Sequence, residues 1–435
     1  MSVIKIFIIS RKTVIFLIIS ILSAVVASFV FPQRFITPPI KMDNWLVAHP
    51  YLGSLMNYLG LDHLYTTIWF AAIIGLFTLS LAVSCYDQFI VAYGKTFGMP
   101  AESGKADFDM GRISDERLEK ILSGYGYLSV SRNPELSKFV KYPWGYWGKF
   151  LLHGGMVLVI AASLLILLTQ KKGTLYLYEG ESHATGEKWL VEEKGLLVDS
   201  LRLPMTVRLE EVKPEYWEND DLKLLSTKVV FVRSDGKESG HKLAINQTRM
   251  FDGLKVYQSP EHGAAFFVEF YDDKGMRQGV ILQIPHPQRR DVAGYQDFKF
   301  DWLPYTLKTK YFADSEKKSM DSISPQLILR LVKGTRVAGE LSLKPDETGT
   351  LGEYKVKLVN VKKWAGIIFV DISGMAGIFA GFFIIILGGG LIYFTPPREI
   401  VVRTTESGCF LSWRATKFRE FYEEEIAGIK SALTK

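Results

Sequence analysis

The chain has 435 residues, 48% of them hydrophobic, with a net charge of +6 and a mean hydropathy of +0.11. That length holds two or three domains, and the positive mean hydropathy excludes a set of purely water-soluble cores. The two cysteines, Cys85 and Cys409, form no C-x-x-C and no C-x-x-C-H, which excludes a thioredoxin-like oxidoreductase and a c-type cytochrome as the chain's own chemistry.

The apolar residues gather in four runs, Thr13 to Phe31, Leu64 to Val91, Phe150 to Thr169 and Gly374 to Phe394, each long enough to cross a bilayer. The expected fold is a membrane α-helical protein with four transmembrane helices and an all-β extracytoplasmic domain, a sandwich or open barrel. Lysine and arginine set its orientation. Lys5, Arg11 and Lys12 precede the first run, nine basic residues lie from Lys95 to Lys149, and seven follow the last run, whereas the loop between the first two runs has only Arg34 and Lys41. The expectation is a multi-pass protein of the inner (cytoplasmic) membrane, with both termini cytoplasmic and residues 170–371 on the outer face. The net charge follows from this bias, so membrane lipid is an expected partner and nucleic acid is not. Val25-Val-Ala27 resembles a signal-peptide cleavage site, but the apolar run continues to Phe31, as in an uncleaved anchor.

Residues 1–92 then hold two spans joined by a short outer loop. In it Leu55, Met56, Leu59 and Leu61 predict a short interfacial helix, and His49 and His63 are outer-face residues. Residues 93–149 predict a cytoplasmic α+β cap. Ser114 caps a helix that Gly124 and Gly126 end, and strands Tyr127 to Arg132 and Lys138 to Tyr142 follow around the turn Asn133-Pro134. Residues 150–169 are the third span.

Residues 170–371 read as strands: Thr174 to Tyr178, Thr206 to Val212, Lys223 to Arg233, His241 to Ile245, Leu254 to Gln258, Ala265 to Tyr271, Val280 to Ile284, Leu327 to Val332, Glu340 to Leu343 and Lys355 to Val361. Asp235-Gly236, Asp273-Lys-Gly275 and Lys333-Gly334 carry the hairpin signature. His183, His241, His262 and His286 are too scattered along the chain for a metal site and read as ordinary surface residues. Residues 372–395 are the fourth span, where Gly374, Gly377 and Gly381 favour close helix packing. Residues 396–435 form a cytoplasmic tail, amphipathic from Trp413 to Leu433 through Phe418, Tyr422, Ile426, Ile429 and Leu433.

His153 stands out. It lies one turn inside the third apolar run, after the aromatic and basic approach Lys141-Tyr-Pro-Trp-Gly-Tyr-Trp-Gly-Lys149. An ionisable group at membrane depth needs a partner or a task. Neutral imidazole is an axial ligand for haem iron in an apolar wall, but a lone histidine serves equally at a proton or quinone site, or in a hydrogen bond to a neighbouring helix. The other three runs contain no histidine. A second haem ligand would therefore come from outside the spans or, more simply, from a partner membrane protein.

The order of motifs resembles the ResB (CcsB) family of System II cytochrome c biogenesis. The resemblance rests on Leu59-Gly-Leu-Asp-His-Leu-Tyr65 leading to Trp69-Phe70 and Cys85, on Gly148-Lys-Phe-Leu-Leu-His153, on Tyr178-Glu-Gly-Glu181, on Gly253-Leu-Lys-Val-Tyr-Gln258, and on the final helix after Val370-Asp371. It implies a membrane subunit that pairs with a ResC (CcsA) protein, moves haem outward and promotes its attachment to apocytochrome c. It implies haem as a transported or transiently bound group shared with that partner, and His153 as a ligand to its iron. The chain lacks the tryptophan-rich segment of the partner. The resemblance thus implies an accessory subunit of a cytochrome c synthase (haem lyase) complex, with no catalytic residue of its own and a β domain that holds or presents apocytochrome. The rival reading is an envelope sensor or scaffold whose outer β domain binds a ligand or protein. A quinone-linked cytochrome b subunit would need paired membrane histidines that these runs lack.

Overall fold

The computed structural model describes residues 10–34, 37, 39–99, 108–189, 191–272, 275–321, 324–406 and 408–434, with the side chains of residues 39–41, 43 and 44 outside the description. Its helices are α1 (Arg11–Val30), α2 (Pro39–Ala48), α3 (Pro50–Leu59), α4 (Ile68–Phe97), α5 (Asp115–Gly124), α6 (Gly148–Thr169), α7 (Met375–Phe394) and α8 (Glu423–Thr434). Two compact units result: Met1–Phe31 with Leu64–Leu168 and Ser373–Lys435, and Pro32–His63 with Thr169–Ile372.

In the first unit α1, α4, α6 and α7 are the four helices long and apolar enough to cross a membrane. The second span begins later than its apolar run, because Leu61–Thr66 forms a 3₁₀ turn and Thr67 caps α4. At 1.5 Å per residue α4 reaches about 45 Å, well past a hydrocarbon core of about 30 Å. Its surplus is satisfied by protein: the buried Lys138 ammonium donates to the Lys95 carbonyl and, at 3.2 Å, to that of Gly98.

Antiparallel helices α6 and α7 meet along a seam of small residues. A Cβ at Gly155 would lie 2.7 Å from the Gly381 carbonyl oxygen, and one at Gly388 would lie 2.8 Å from that of Gly148. Gly374 faces the Ala162 carbonyl at 3.0 Å in the same way. The seam repeats every seven residues on both helices, through Gly148, Gly155 and Ala162 and through Gly374, Gly381 and Gly388. Missing side chains let the two backbones touch, which is the source of packing energy between helices in lipid.

A five-stranded antiparallel sheet completes this unit, ordered β1 (Phe108–Asp109), β20 (Gly408–Ala415), β19 (Arg398–Thr405), β3 (Leu136–Lys141) and β2 (Leu128–Arg132). α5 and α8 share its core, where Leu118, Leu122, Phe139, Ile400, Leu411, Trp413, Ile429 and Leu433 are buried. The helix expected from Trp413 to Leu433 is therefore corrected. Trp413 belongs to β20, where its indole donates to the Tyr127 hydroxyl at 3.1 Å, and the α-helix begins at Glu423. The β-branched run Ile400-Val401-Val402 and the apolar Phe410-Leu411 make the first part of the tail a hairpin that adds to β3.

The second unit is all-β apart from α2, α3 and the start of the 3₁₀ turn. A seven-stranded sheet contains β10 (Arg249–Phe251), β11 (Leu254–Tyr271), β18 (Tyr354–Asp371), β4 (Lys171–Tyr178) and β6 (Val191–Lys194) in that order, with β12 (Arg277–Pro285) on β11 and β17 (Thr348–Leu351) on β18. Two four-stranded sheets are ordered β5 (Ser182–His183), β7 (Thr206–Tyr216), β8 (Leu222–Val232), β9 (Glu238–Ala244), and β13 (Gly294–Lys299), β14 (Thr306–Phe312), β15 (Gln326–Lys333), β16 (Arg336–Leu343). Asp235-Gly236 and Lys333-Gly334 turn β8 into β9 and β15 into β16, with both glycines at positive φ. Asp273 and Lys274 of the third expected hairpin lie outside the described residues.

Two cores result, one around Val207, Phe231, Val256 and Phe369, the other around Phe266, Phe270, Tyr311 and Val356. β11 and β18 pass through both, so one pair of long strands carries two packed modules. The two strands expected at Leu254 to Gln258 and Ala265 to Tyr271 are in fact this one strand. Its ladder to β18 shifts register between Gln258 and His262. Pro260 has no N–H to give the ladder, so the pairing breaks there while the strand continues as a bulge.

Candidate functional site

His153 lies in the second turn of α6, half-buried, with its ring Nδ1 2.9 Å from the Lys149 carbonyl oxygen one turn earlier. A carbonyl only accepts, so Nδ1 carries the proton and Nε2 keeps its lone pair. At about 100° per residue the imidazole lies about 140° around the helix from Gly148, away from the glycine seam. A different face of α6 packs on α4. There Cys85 Sγ lies 3.8 Å from the Phe150 carbonyl, and Phe89, Trp147 and Phe150 form an edge-to-face cluster with centroids 5.4 to 5.9 Å apart. The arrangement is a tautomer-fixed imidazole on a face of α6 that neither helix seam uses. It suits coordination of a soft or borderline metal centre through Nε2.

Of the aromatic residues on the approach to α6, Trp147 joins this cluster, Tyr146 donates to the Glu399 carboxylate at 3.0 Å, and Trp144 is 45% exposed beside Tyr142.

A second concave site lies in the β unit where the two modules meet. Its volume is about 990 Å³. The β11 bulge brings His262 beside His286, which follows β12, with rings stacked at 5.1 Å, and Tyr216 at the end of β7 stacks on His286 at 5.3 Å. His262 Nδ1 lies 3.1 Å from the Pro260 carbonyl, so its Nε2 accepts from the Tyr216 hydroxyl at 2.8 Å. Burial first, and then the neighbouring His262, hold the His286 imidazole down to about 3; burial also lowers His262. Both rings are neutral at pH 7. The expectation that the outer-domain histidines are ordinary surface residues fails for this pair and for His183, which is 9% exposed. Separation along the chain hides a contact made by neighbouring strands. Among the described residues no group of three or more potential ligands could hold a metal ion.

In the loop before α4, Asp62 is buried, receives the Arg34 guanidinium at 2.8 Å and pairs with His63 Nδ1 at 2.7 Å. His63 thus orders the turn into the second span.

A family model described as ResB-like matches residues 11–326. The chain belongs to the ResB-like family. Among ResB-like relatives, the cytochrome c biogenesis protein CcsB of Microcystis aeruginosa is 21% identical over 389 residues, covering 86% of this chain and 81% of that protein. The CcsB of Trichormus variabilis is 23% identical over 226 residues, 48% of each chain. The cytochrome c biogenesis protein ResB of Bacillus subtilis is 22% identical over 279 residues, covering 57% of this chain and 51% of that protein. The chain thus spans about half the length of these last two relatives. The matched region takes in His153 and the His262 and His286 pair, but stops short of α7 and the tail strands.

Proposed function

We propose that this chain is a membrane subunit of cytochrome c maturation that, with a ResC (CcsA) partner, carries haem outward and promotes its attachment to apocytochrome c. The observation that carries the reading is the state of His153. Its Nδ1–H bond to the Lys149 carbonyl supports a fixed ring whose Nε2 is the ligand atom. Haem is the cargo in this reading, its iron bound through His153 and an imidazole of the partner. What this chain supplies is orientation. The backbone carbonyl holds the tautomer and leaves the Nε2 lone pair free to bind, and the apolar helix keeps competing water away. The names of the relatives and the family membership support the setting of cytochrome c maturation.

The proposed orientation puts both termini in the cytoplasm and the β domain on the outer face of the inner membrane, a reading that the Lys and Arg asymmetry supports. Reporter fusions at Lys95 and after Lys435 then read as cytoplasmic, and one at Asp235 as external. An external signal from the C-terminus refutes the topology. His153→Ala tests the haem reading itself. An axial bond has no substitute in alanine, whereas a structural interhelical hydrogen bond in lipid contributes on the order of 1 kcal/mol. The variant should stay in the membrane with its partner, yet lose or shift the Soret band of the complex and stop cytochrome c maturation. Unchanged haem content and spectrum would remove His153 from the proposal.

A further inference from the structure

The cavity between the two β modules has no part in the haem reading, yet its chemistry is specific. It is lined by the aromatic rings of Tyr176, Tyr216, His262, His286 and Trp364, with Tyr176 and Trp364 edge-to-face at 5.6 Å. Its carboxylates are Glu192, Asp220, Asp221 and Glu261, and its cations are Arg34 and Arg289. Both cations are already matched, Arg34 by Asp62 at 2.8 Å and Arg289 by Asp291 at 3.2 Å. Asp220 is matched by the Arg290 guanidinium, whose Nε donates to it at 2.7 Å. Glu192, Asp221 and Glu261 have no ion pair among the described residues. Glu192 accepts from the Leu201 amide at 3.0 Å, Asp221 from the Asn219 amide at 2.6 Å, and Glu261 from the Tyr176 hydroxyl. The two imidazoles, being neutral, add no positive charge. Lys363, whose charge reaches both, stands on β18 and does not line the cavity.

Three uncompensated carboxylates around aromatic faces attract a cation twice, through the local potential and through the ring quadrupoles. The same charges disfavour an anionic ligand. A single ammonium fills a small part of about 990 Å³. That volume stands at the upper end of ligand sites, with room for neighbouring residues of a chain. We propose that this cavity docks a cationic segment of another polypeptide, holding a lysine or arginine side chain among Tyr176, Tyr216 and Trp364 against Glu261. The Tyr176 hydroxyl bond to Glu261 fixes that carboxylate at the edge of one of these rings.

The test uses the full-length protein in nanodiscs and calorimetric titration. The probes are an acetylated, amidated decapeptide of Gly, Ala and Tyr with two lysines, and its twin with both lysines replaced by glutamate. The lysine peptide is expected to bind and to weaken at high salt, and the glutamate peptide to show no binding. A Glu192→Gln, Glu261→Gln double variant should lose about tenfold or more in affinity with an unchanged melting curve. Equal binding of the two peptides, or undiminished binding by the folded double variant, overturns the proposal. The comparison of peptides on the parent protein decides the charge preference even where the double variant fails to fold. His153→Ala should bind the lysine peptide as the parent does, so this result and the haem result stand or fall separately.

Discussion

Gly155→Ala puts the seam between α6 and α7 to a direct test. The added Cβ would lie 2.7 Å from the Gly381 carbonyl oxygen and 2.8 Å from the Ile385 amide nitrogen, about 0.7 Å inside the 3.4 Å at which ordinary contact begins. Both obstructing atoms are backbone, so no rotamer relieves the clash and α7 must move as a body. Overpacking of this kind costs about 1–3 kcal/mol. Against it, Gly to Ala within a helix gains up to about 1 kcal/mol from reduced backbone freedom. Gly75 in α4 supplies the control, because a Cβ there meets nothing within 4 Å. Thermal unfolding of the purified full-length protein in detergent should show Gly155→Ala melting below the parent and Gly75→Ala at or above it. Equal melting of the two variants would refute the claim that backbone contact holds these helices together.

Glu425 on α8 is 15% exposed at its side chain and pairs with Lys141 at 3.2 Å and with the buried Arg398. Glu425→Ala leaves Arg398 buried without a carboxylate, a loss of about 3–5 kcal/mol, and should expose the tail to trypsin at Lys417 and Arg419. Unchanged cleavage would show that these pairs do not hold α8 down. Acid should weaken the β unit through His286. Its folded pKa is lowered from 6.5 to about 3, so the unfolded chain takes up a proton first as the pH falls. The stabilisation is complete above pH 6.5 and is lost from there down toward pH 3, at about 1.4 kcal/mol per pH unit. Melting of the full-length protein at pH 7.5 and pH 5 should therefore differ more in the parent than in His286→Phe; an equal difference would exclude this imidazole as the source.

The spans were legible because apolar runs of that length have few other uses, and the helix at Ser114 because cap, first-turn acids and apolar spacing agree. Most outer strands were legible from β-branched alternation and turn residues. Several were not. Thr306–Phe312 buries Leu307, Thr309 and Tyr311, a weak apolar set broken by a threonine, and Gly294–Lys299 has no apolar alternation, with Tyr295 exposed. The full length of β18 was hidden by Lys362, Lys363 and Gly366, which interrupt the pattern of a strand that never leaves its sheet. The glycine seam was half legible. The spacing of four between Gly377 and Gly381 is visible in the last span, whereas the period of seven shared with Gly148, Gly155 and Ala162 becomes meaningful only once the two helices are known to be neighbours. The His262 and His286 pair lay beyond sequence reasoning because a bulge at Pro260 and a strand end at Pro285 create it.

The tail strands explain how a histidine in lipid comes to a defined place. β19 pairs with β3 in a register that sets Arg398 opposite Lys141 and Glu399 opposite Val140. Three spans end on this pairing. The chain passes from β3 through the turn Pro143–Trp147 straight into α6, and a side chain at Gly145 would collide with the Thr395 carbonyl just past α7. Tyr146 donates to Glu399 on β19, and Lys138 on β3 holds the last carbonyls of α4. The imidazole stands five residues beyond Gly148, within two turns of this sheet, and its ring is tied to the Lys149 carbonyl. Its position therefore depends on backbone contacts and a buried ion pair rather than on a loop. In the proposed haem reading, a ligand held that way loses little freedom when a partner or cargo arrives, which is the condition under which a single donor atom contributes its full affinity. In that reading the hairpin and helix of the tail belong to the same functional apparatus as His153, although about 245 to 280 residues separate them in the chain.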